Sequence, residues 1–199
     1  MPFMQWDDRF MNIFNSGVAR FYTNPQVLPD NFFNREELEL LAEIGCNHRE
    51  MHNYIRTYAN YGRPTPSNVL LITSVCRSYF LIARRGISGN TKPFPANSMP
   101  HESEELQGMP YLPRLIKKAQ LKLYGSLDPS LLYGDEQDTT FLMEHGNIHP
   151  ADFLMMTWHS HGDQQKLITS LIAAIKSNEQ TTERDEADAL NLPRNGELF

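Results

Sequence analysis

Apolar side chains recur at steps of three and four residues along most of this chain, which is the spacing of a helix that buries one face. The first such stripe joins Trp6, Phe10, Phe14 and Phe21. Comparable stripes follow it, and we find neither a β-hairpin signal nor an internal repeat. The sequence therefore predicts an all-α fold, a compact bundle of about six to seven helices with a long Pro-rich connecting loop and a polar C-terminal tail.

Polar residues at suitable spacing mark the starts of several helices. Asn34 stands three residues before Glu37, and Asn47 stands three before Glu50. This is the spacing of a capping box, in which two side chains satisfy the free backbone N–H groups of a first turn. Ser67 is placed to cap a fourth helix, which is apolar over most of its circumference. We therefore expect that helix to lie at the centre of the fold.

Composition shifts divide the chain into four segments. Residues 1–85 form an N-terminal helical half, and residues 109–176 form a C-terminal half. Between them, residues 86–108 are polar and rich in proline without a helical period, which indicates a loop or linker. Residues 177–199 are polar and aperiodic, which favours a flexible tail. The two halves form either one compact domain or two half-domains.

Charge and cysteine content narrow the class of protein. The net charge is −6, which argues against nucleic acid as a partner, because phosphate neutralisation needs a basic surface. The apolar run from Val69 to Ala83 is too short and too polar to span a membrane. Cys46 and Cys76 form no C-x-x-C pair, and the N-terminus lacks signal-peptide features. The expected location is cytoplasmic.

Four of the seven histidines lie in the segment "EHGNIHPADFLMMTWHSHGD". Helix geometry separates them, because His149 and His161 stand at opposite ends of one helix, roughly 18 Å apart at about 1.5 Å per residue. What remains is a corner of His145, His149 and Asp152 around a turn. Two interpretations stay open there: an acid–base or metal site, or helix capping with Pro150 in the first turn behind His149.

His48 and His52 form a second candidate for a metal. They are four residues apart on one predicted helix, which is a spacing that lets two imidazoles reach one ion. Two ligands do not make a zinc site, so further ligands would have to come from distant segments. The alternative is a pair of histidines at the edge of the core.

The helix after Pro113 carries Arg114, Lys117, Lys118 and Lys122 opposite its leucines. This side of the helix is either a plain solvated face or a surface for an anionic ligand or an acidic partner. Arg114 in a first turn opposes the helix dipole, so we expect a carboxylate partner such as Asp135 or Asp138. Within the central helix, we expect Arg77 to form a salt bridge if it is buried.

The second half resembles an uncharacterised bacterial family, domain of unknown function 5069. The resemblance lies in "LPRLIKKAQLKLYG", a following "YG" with acidic residues and "FL", then "HPADF" and a Trp. The N-terminal half is similar in layout to longer members, with "WDDRF", "EELELLAEIGC" and "CRSYFLIARRG". Gln120 departs from the alanine usual there. The resemblance covers about residues 5–175 and implies a helical cytoplasmic protein without an assigned activity. It also implies that one recurring arrangement contains Arg114, Asp138, His149, Asp152 and Trp158.

Two functional hypotheses follow. The first is an interaction or assembly module without chemistry, which binds a protein partner or forms a homo-oligomer. The alternative is a small-molecule-binding protein or an enzyme, with or without a metal, that has a polar pocket between the halves and no cofactor that the sequence can name. In the alternative, His149 acts as acid or base with Asp152 orienting it and Asp138 beside them. Three residues would contact an anionic ligand: Arg114, Lys118 and Trp158.

Overall fold

A computed structural model describes residues 5–87 and 92–191, with side chains up to residue 178. The all-α fold is confirmed, and the described residues contain eight α-helices, slightly more than predicted. The helices are α1 (Trp6–Thr23), α2 (Arg35–Glu43), α3 (His48–Tyr61), α4 (Pro66–Ile82), α5 (Leu112–Tyr124), α6 (Glu136–Glu144), α7 (Pro150–His159) and α8 (Gln164–Asn191). Two short 3-10 turns lie at Pro29–Asn31 and Ala96–Ser98.

Two segments differ from the sequence prediction. The predicted loop contains a small antiparallel hairpin, β1 (Glu105–Leu106) and β2 (Met109–Pro110), joined by two residues with positive φ, Gln107 and Gly108. The sequence gives little signal for this hairpin, because glutamine seldom occupies a left-handed turn position. Residues 88–91 of the loop lie outside the described residues.

The predicted tail is also corrected, because α8 continues to Asn191. Residues 177–191 are therefore helical although they carry no apolar stripe. Their three glutamates and two alanines have high intrinsic helix propensity, which a search for periodicity does not detect. The rest of the predicted tail, residues 192–199, lies outside the described residues.

The helix starts follow local capping chemistry. The capping box of Asn34 and Glu37 is confirmed, with both reciprocal bonds at 2.9 Å. The start of α4 is corrected by two residues: Thr65, not Ser67, is the cap and accepts from the backbone N–H of Asn68 at 3.3 Å. Proline in the first turn of α4 explains this shift, since its missing N–H costs nothing there.

Two hydrophobic cores fill the bundle, and α4 contributes to both. The N-terminal core is built mainly from α1 to α3 and includes Val69 of α4. The C-terminal core is built mainly from α5 to α8 and includes Ile72 and Val75 of α4. The central position predicted for this helix is therefore confirmed. The division into two half-domains stays a prediction.

Buried hydrogen bonds also cross between the halves. The hydroxyl of Tyr54, on α3, donates to the carbonyl of Tyr133 at 2.7 Å. Beside it, the side-chain amide of Asn53 donates to the carbonyl of Pro129 at 3.0 Å. Both acceptors lie in the turn-rich segment between α5 and α6. These bonds hold that segment against α3, which fixes the end of α5 relative to the N-terminal core.

We expect Tyr54→Phe to lower the free energy of unfolding by about 1–3 kcal/mol, because the buried carbonyl of Tyr133 loses its donor. Chemical denaturation measures the change. Tyr61→Phe is the control, since Tyr61 lies on the same helix and is 74% exposed. Equal stability of the two variants would show that the Tyr54 hydroxyl does not join the halves.

Candidate functional site

Two lysines of α5 are buried, which corrects the prediction of a solvated basic face. Lys118 is 2% exposed and Lys122 is 6% exposed. They are one helical turn apart, and each reaches a different buried carboxylate. A signal for this was present in the sequence: Lys118 and Lys122 each follow an apolar residue of the buried stripe by three positions, so they lie at the edge of that stripe.

Lys118 belongs to a closed polar cluster in the C-terminal core. Its ammonium lies 2.7 Å from a carboxylate oxygen of Asp138 and 2.8 Å from one of Asp135. Asp138 is fully buried and also accepts from the hydroxyl of Tyr111 at 2.6 Å and the N–H of Gly134 at 2.8 Å. Burial raises the pKa of Asp138, and the charge of Lys118 opposes that shift. Because Asp138 accepts from three donors and is fully buried, this cluster is suited to holding the fold rather than to meeting a substrate.

Arg114 does not take the predicted carboxylate partner. Both Asp135 and Asp138 form ion pairs with Lys118, and Arg114 donates to the carbonyl of Pro100 at 2.9 Å instead. This contact attaches the long connecting segment to α5. The partner prediction was wrong because the choice between two neighbouring cations depends on how deeply each side chain enters the bundle.

Lys122 forms the second buried ion pair, with Glu50 of α3. Its ammonium lies 2.6 Å from Oε1 of Glu50 and 5.4 Å from the centre of the Tyr54 ring. Burial alone would lower the pKa of Lys122, but the Glu50 carboxylate holds it well above the usual value. The predicted capping box of Asn47 and Glu50 is therefore wrong in its second member. Asn47 accepts from the N–H of Arg49 at 2.9 Å, whereas Glu50 turns into the bundle.

This second ion pair lines a polar cavity of about 280 Å³. The walls come from α2, α3, α4 and α5 and the turns that follow α2 and α5, so both halves of the chain contribute. Thr73, Cys46 and Cys76 also line it. The hydroxyl oxygen of Thr73 is buried and has no hydrogen-bond partner in the described structure. The cavity thus brings a cation, an anion and an unpaired hydroxyl to one small space.

The potential nucleophiles of this cavity are held in unreactive forms. Burial raises the pKa of Cys46 to about 12 and that of Cys76 to about 11, so both remain thiols at neutral pH. Lys122 remains a charged ammonium because of Glu50. A protonated amine and two protonated thiols do not attack a carbonyl or phosphoryl group. The arrangement is therefore suited to hydrogen bonding and ion pairing rather than covalent chemistry.

The predicted residues around α7 do not line this cavity. His149 caps α7 by accepting from the N–H of Ala151 at 3.1 Å, and its other ring nitrogen lies 3.4 Å from the amide oxygen of Asn68. Asp152 is exposed in the first turn of α7 and borders a separate surface groove. Asp138 is in the closed cluster described above. Their proposed catalytic roles stay predictions, but each of the three side chains has different surroundings.

His145, His48 and His52, the weak metal candidates, have separate partners. His145 bonds to the carbonyl of Phe141 at 2.8 Å. His48 lies 3.1 Å from the carboxylate of Asp30. His52 is 6% exposed and packs against the ring of Phe32 at 4.7 Å. Among the side chains that the structure describes, no group of three or more His, Cys, Asp or Glu residues is arranged to hold a metal ion.

Trp158 lies on the opposite end of α7 from His149. Its ring is 5.5 Å from that of Tyr79 at nearly a right angle, and it stacks on His159 at 6.0 Å. It borders a groove with Tyr124 and His161. Arg77 is half-buried, and among the described side chains it forms no salt bridge; its guanidinium lies 4.9 Å from the centre of the Trp6 ring instead.

Comparison with known protein families, curated proteins and solved structures finds no significant match to this chain. The resemblance to domain of unknown function 5069 therefore stays a prediction. Among residues 5–87 and 92–191, no helix is both long and apolar enough to cross a lipid bilayer.

We expect Lys122→Met to destabilise the protein by about 3–5 kcal/mol, because it leaves the Glu50 carboxylate buried without its cation. The double variant Glu50→Leu with Lys122→Met should regain much of that loss, since no charge then remains buried. Urea denaturation compares both with Lys166→Met, which removes an exposed lysine. A loss no larger than that of the control would show that the ion pair does not stabilise the fold.

The environment of His52 predicts a pH dependence of stability. Burial, then the charge of Arg56, lowers the pKa of this imidazole below its ordinary 6.5. As pH falls, His52 therefore binds a proton more readily in the unfolded chain than in the folded protein. Its contribution to the free energy of unfolding is present above about pH 6.5 and is lost as pH falls through the folded-state pKa. In denaturation curves from pH 7.5 to 5, His52→Leu should flatten this loss. His101→Leu, at an exposed histidine, should retain the wild-type slope.

Proposed function

We propose that this protein binds a small polar molecule in the cavity between α2, α3, α4 and α5. The observation that carries the proposal is the buried Lys122–Glu50 pair. It lines the cavity, and some of its hydrogen-bond donors and acceptors are not used by the pair itself. An ammonium has three N–H donors, and one of those of Lys122 is directed at Oε1 of Glu50. A bound molecule can use the remaining donors and the second carboxylate oxygen.

Thr73 also supports the proposal that the cavity binds a small polar molecule. Its side chain is 3% exposed, and its hydroxyl oxygen is buried without a partner in the described structure. A buried hydroxyl that makes no hydrogen bond costs about 1–3 kcal/mol, so such groups are usually satisfied. Thr73 lines the cavity, so a molecule bound there can accept from or donate to it.

Charge and size limit what this molecule can be. Lys122 and Glu50 neutralise each other, and the guanidinium of Arg84 at the cavity already donates to the carbonyls of Tyr124 and Ile87. The charge of Arg84 remains, because hydrogen bonds to carbonyls use its donors without neutralising it. The site therefore favours a molecule that carries several hydrogen-bonding groups, among which a carboxylate is tolerated. A volume of about 280 Å³ is at the lower end of ordinary ligand pockets. We infer a small metabolite such as an amino-acid zwitterion or a polyol, rather than a nucleotide.

The interaction or assembly module remains the second candidate, because one observation favours it. Ile82 and Ile87, at the end of α4 and just beyond it, are 69% and 66% exposed. With Leu81, which directly precedes Ile82 and is 40% exposed, they place three exposed apolar side chains near the end of α4, and such groups are typical of protein contact surfaces. The two candidates are compatible, since Ile82 and Ile87 do not line the cavity.

Thr73→Val tests the binding proposal. We expect it to raise the stability of the ligand-free protein by about 1 kcal/mol or more, since it removes an unsatisfied buried hydroxyl. Thr157→Val is the matched control: Thr157 is 4% exposed, but its hydroxyl donates to the carbonyl of Phe153 at 2.8 Å, so that variant should lose stability.

Thermal denaturation with free amino acids, sugars and small polyols completes the test. A compound bound in the cavity should raise the melting temperature of the wild type and of Thr157→Val, but much less that of Thr73→Val. If no compound in these classes shifts the wild type, or if shifts are equal in both variants, the proposed site is wrong.

A further inference from the structure

A second groove, about 450 Å³ in volume, is bordered by three aromatic side chains from three helices. They are Tyr79 of α4, Tyr124 of α5 and Trp158 of α7. The ring of Tyr79 lies 5.8 Å from that of Tyr124 at 87° and 5.5 Å from that of Trp158 at 84°. Two rings that stand nearly perpendicular to a third form an angular, aromatic boundary rather than a flat stack.

The electrostatics of this groove favour a positive charge. Three helices end at it, since Ala83 caps α4, Tyr124 ends α5, and His161 follows the end of α7. The end of α5 is already bonded to the guanidinium of Arg84, so the relevant helix ends are those of α4 and α7. The C-terminal end of a helix carries a partial negative charge. The face of an aromatic ring is also negative, and Trp and Tyr are the strongest cation-binding rings.

No lysine, arginine or carboxylate is among the described residues that line this groove. The guanidinium of Arg84, which follows α4, does not line the groove; it is bonded to the carbonyls of Tyr124 and Ile87 and lies 5.8 Å from the ring of Phe80. Without a carboxylate, the groove offers little to a strongly hydrated ion such as ammonium or a metal. A weakly hydrated cation loses less on leaving water, which selects a quaternary ammonium group.

We propose that this groove binds a quaternary ammonium group, of the kind carried by choline, between the rings of Tyr79, Tyr124 and Trp158. The site is separate from the Lys122–Glu50 cavity and does not depend on the function proposed for it. It also gives a reason for the partial exposure of Trp158 and Tyr124, which would be held against the cation instead of entering the core.

Titration calorimetry at pH 8, above the usual titration range of histidine, tests the proposal. The probes are choline, tetramethylammonium and 3,3-dimethyl-1-butanol, in which carbon replaces the charged nitrogen of choline. We expect both cations to bind with a millimolar or lower dissociation constant, and the neutral alcohol to bind at least about tenfold more weakly. Equal binding of choline and the alcohol would overturn the proposal, as would no binding of choline at tens of millimolar.

Variants locate the site. Trp158→Leu should weaken choline at least about tenfold, whereas Tyr124→Phe, which keeps the ring, should leave the affinity nearly unchanged. Tyr124→Leu is the second ring-removal variant, because Tyr124 is 53% exposed and its loss should not unfold the protein. Wild-type choline affinity in Tyr124→Leu or in a folded Trp158→Leu would place the binding elsewhere and overturn the proposal.

Discussion

The ion pair between Lys122 and Glu50 is the contact on which much of this structure depends. It joins α5 to α3 through a bond of 2.6 Å, and both partners are largely removed from solvent. Each ion would be costly to bury alone, so the pair requires the two helices to hold one relative position. One helical turn away on α5, Lys118 pairs with Asp138 and Asp135 and so holds the start of α6 against α5 within the C-terminal half.

The two buried lysines differ in what surrounds them, and this difference separates structure from function. Around Lys118, the acceptor Asp138 is fully buried and receives bonds from Tyr111 and Gly134 as well. Around Lys122, the packing leaves a cavity and, at Thr73, a hydroxyl without a hydrogen-bond partner among the described residues. Polar groups whose hydrogen bonds are all made within the protein hold helices in fixed positions. Polar groups that keep free donors or acceptors beside a cavity can bind a ligand.

Local sequence patterns predicted the helices well and the site poorly. The stripe from Trp6 to Phe21, the capping box of Asn34 and the cap at His149 all depend on residues within about one or two turns. The same local reasoning assigned Glu50 to a cap and placed Lys118 and Lys122 toward solvent, and in both cases a distant partner overrode it. It also directed attention to the histidines, which the fold distributes among helix ends and the edge of the aromatic core.

The sequence by itself determined the helical class, most helix starts and the central place of α4, because these follow from backbone hydrogen bonding and from apolar spacing over a few residues. Only the tertiary structure decided which charges are buried. Glu50 and Lys122 are 72 residues apart in the chain. Capping and periodicity rules relate only residues that lie within one or two helical turns of each other. The pairing of Glu50 with Lys122 exists because the fold brings α3 and α5 within reach of these two long side chains, and the cavity beside them is a property of how four helices pack.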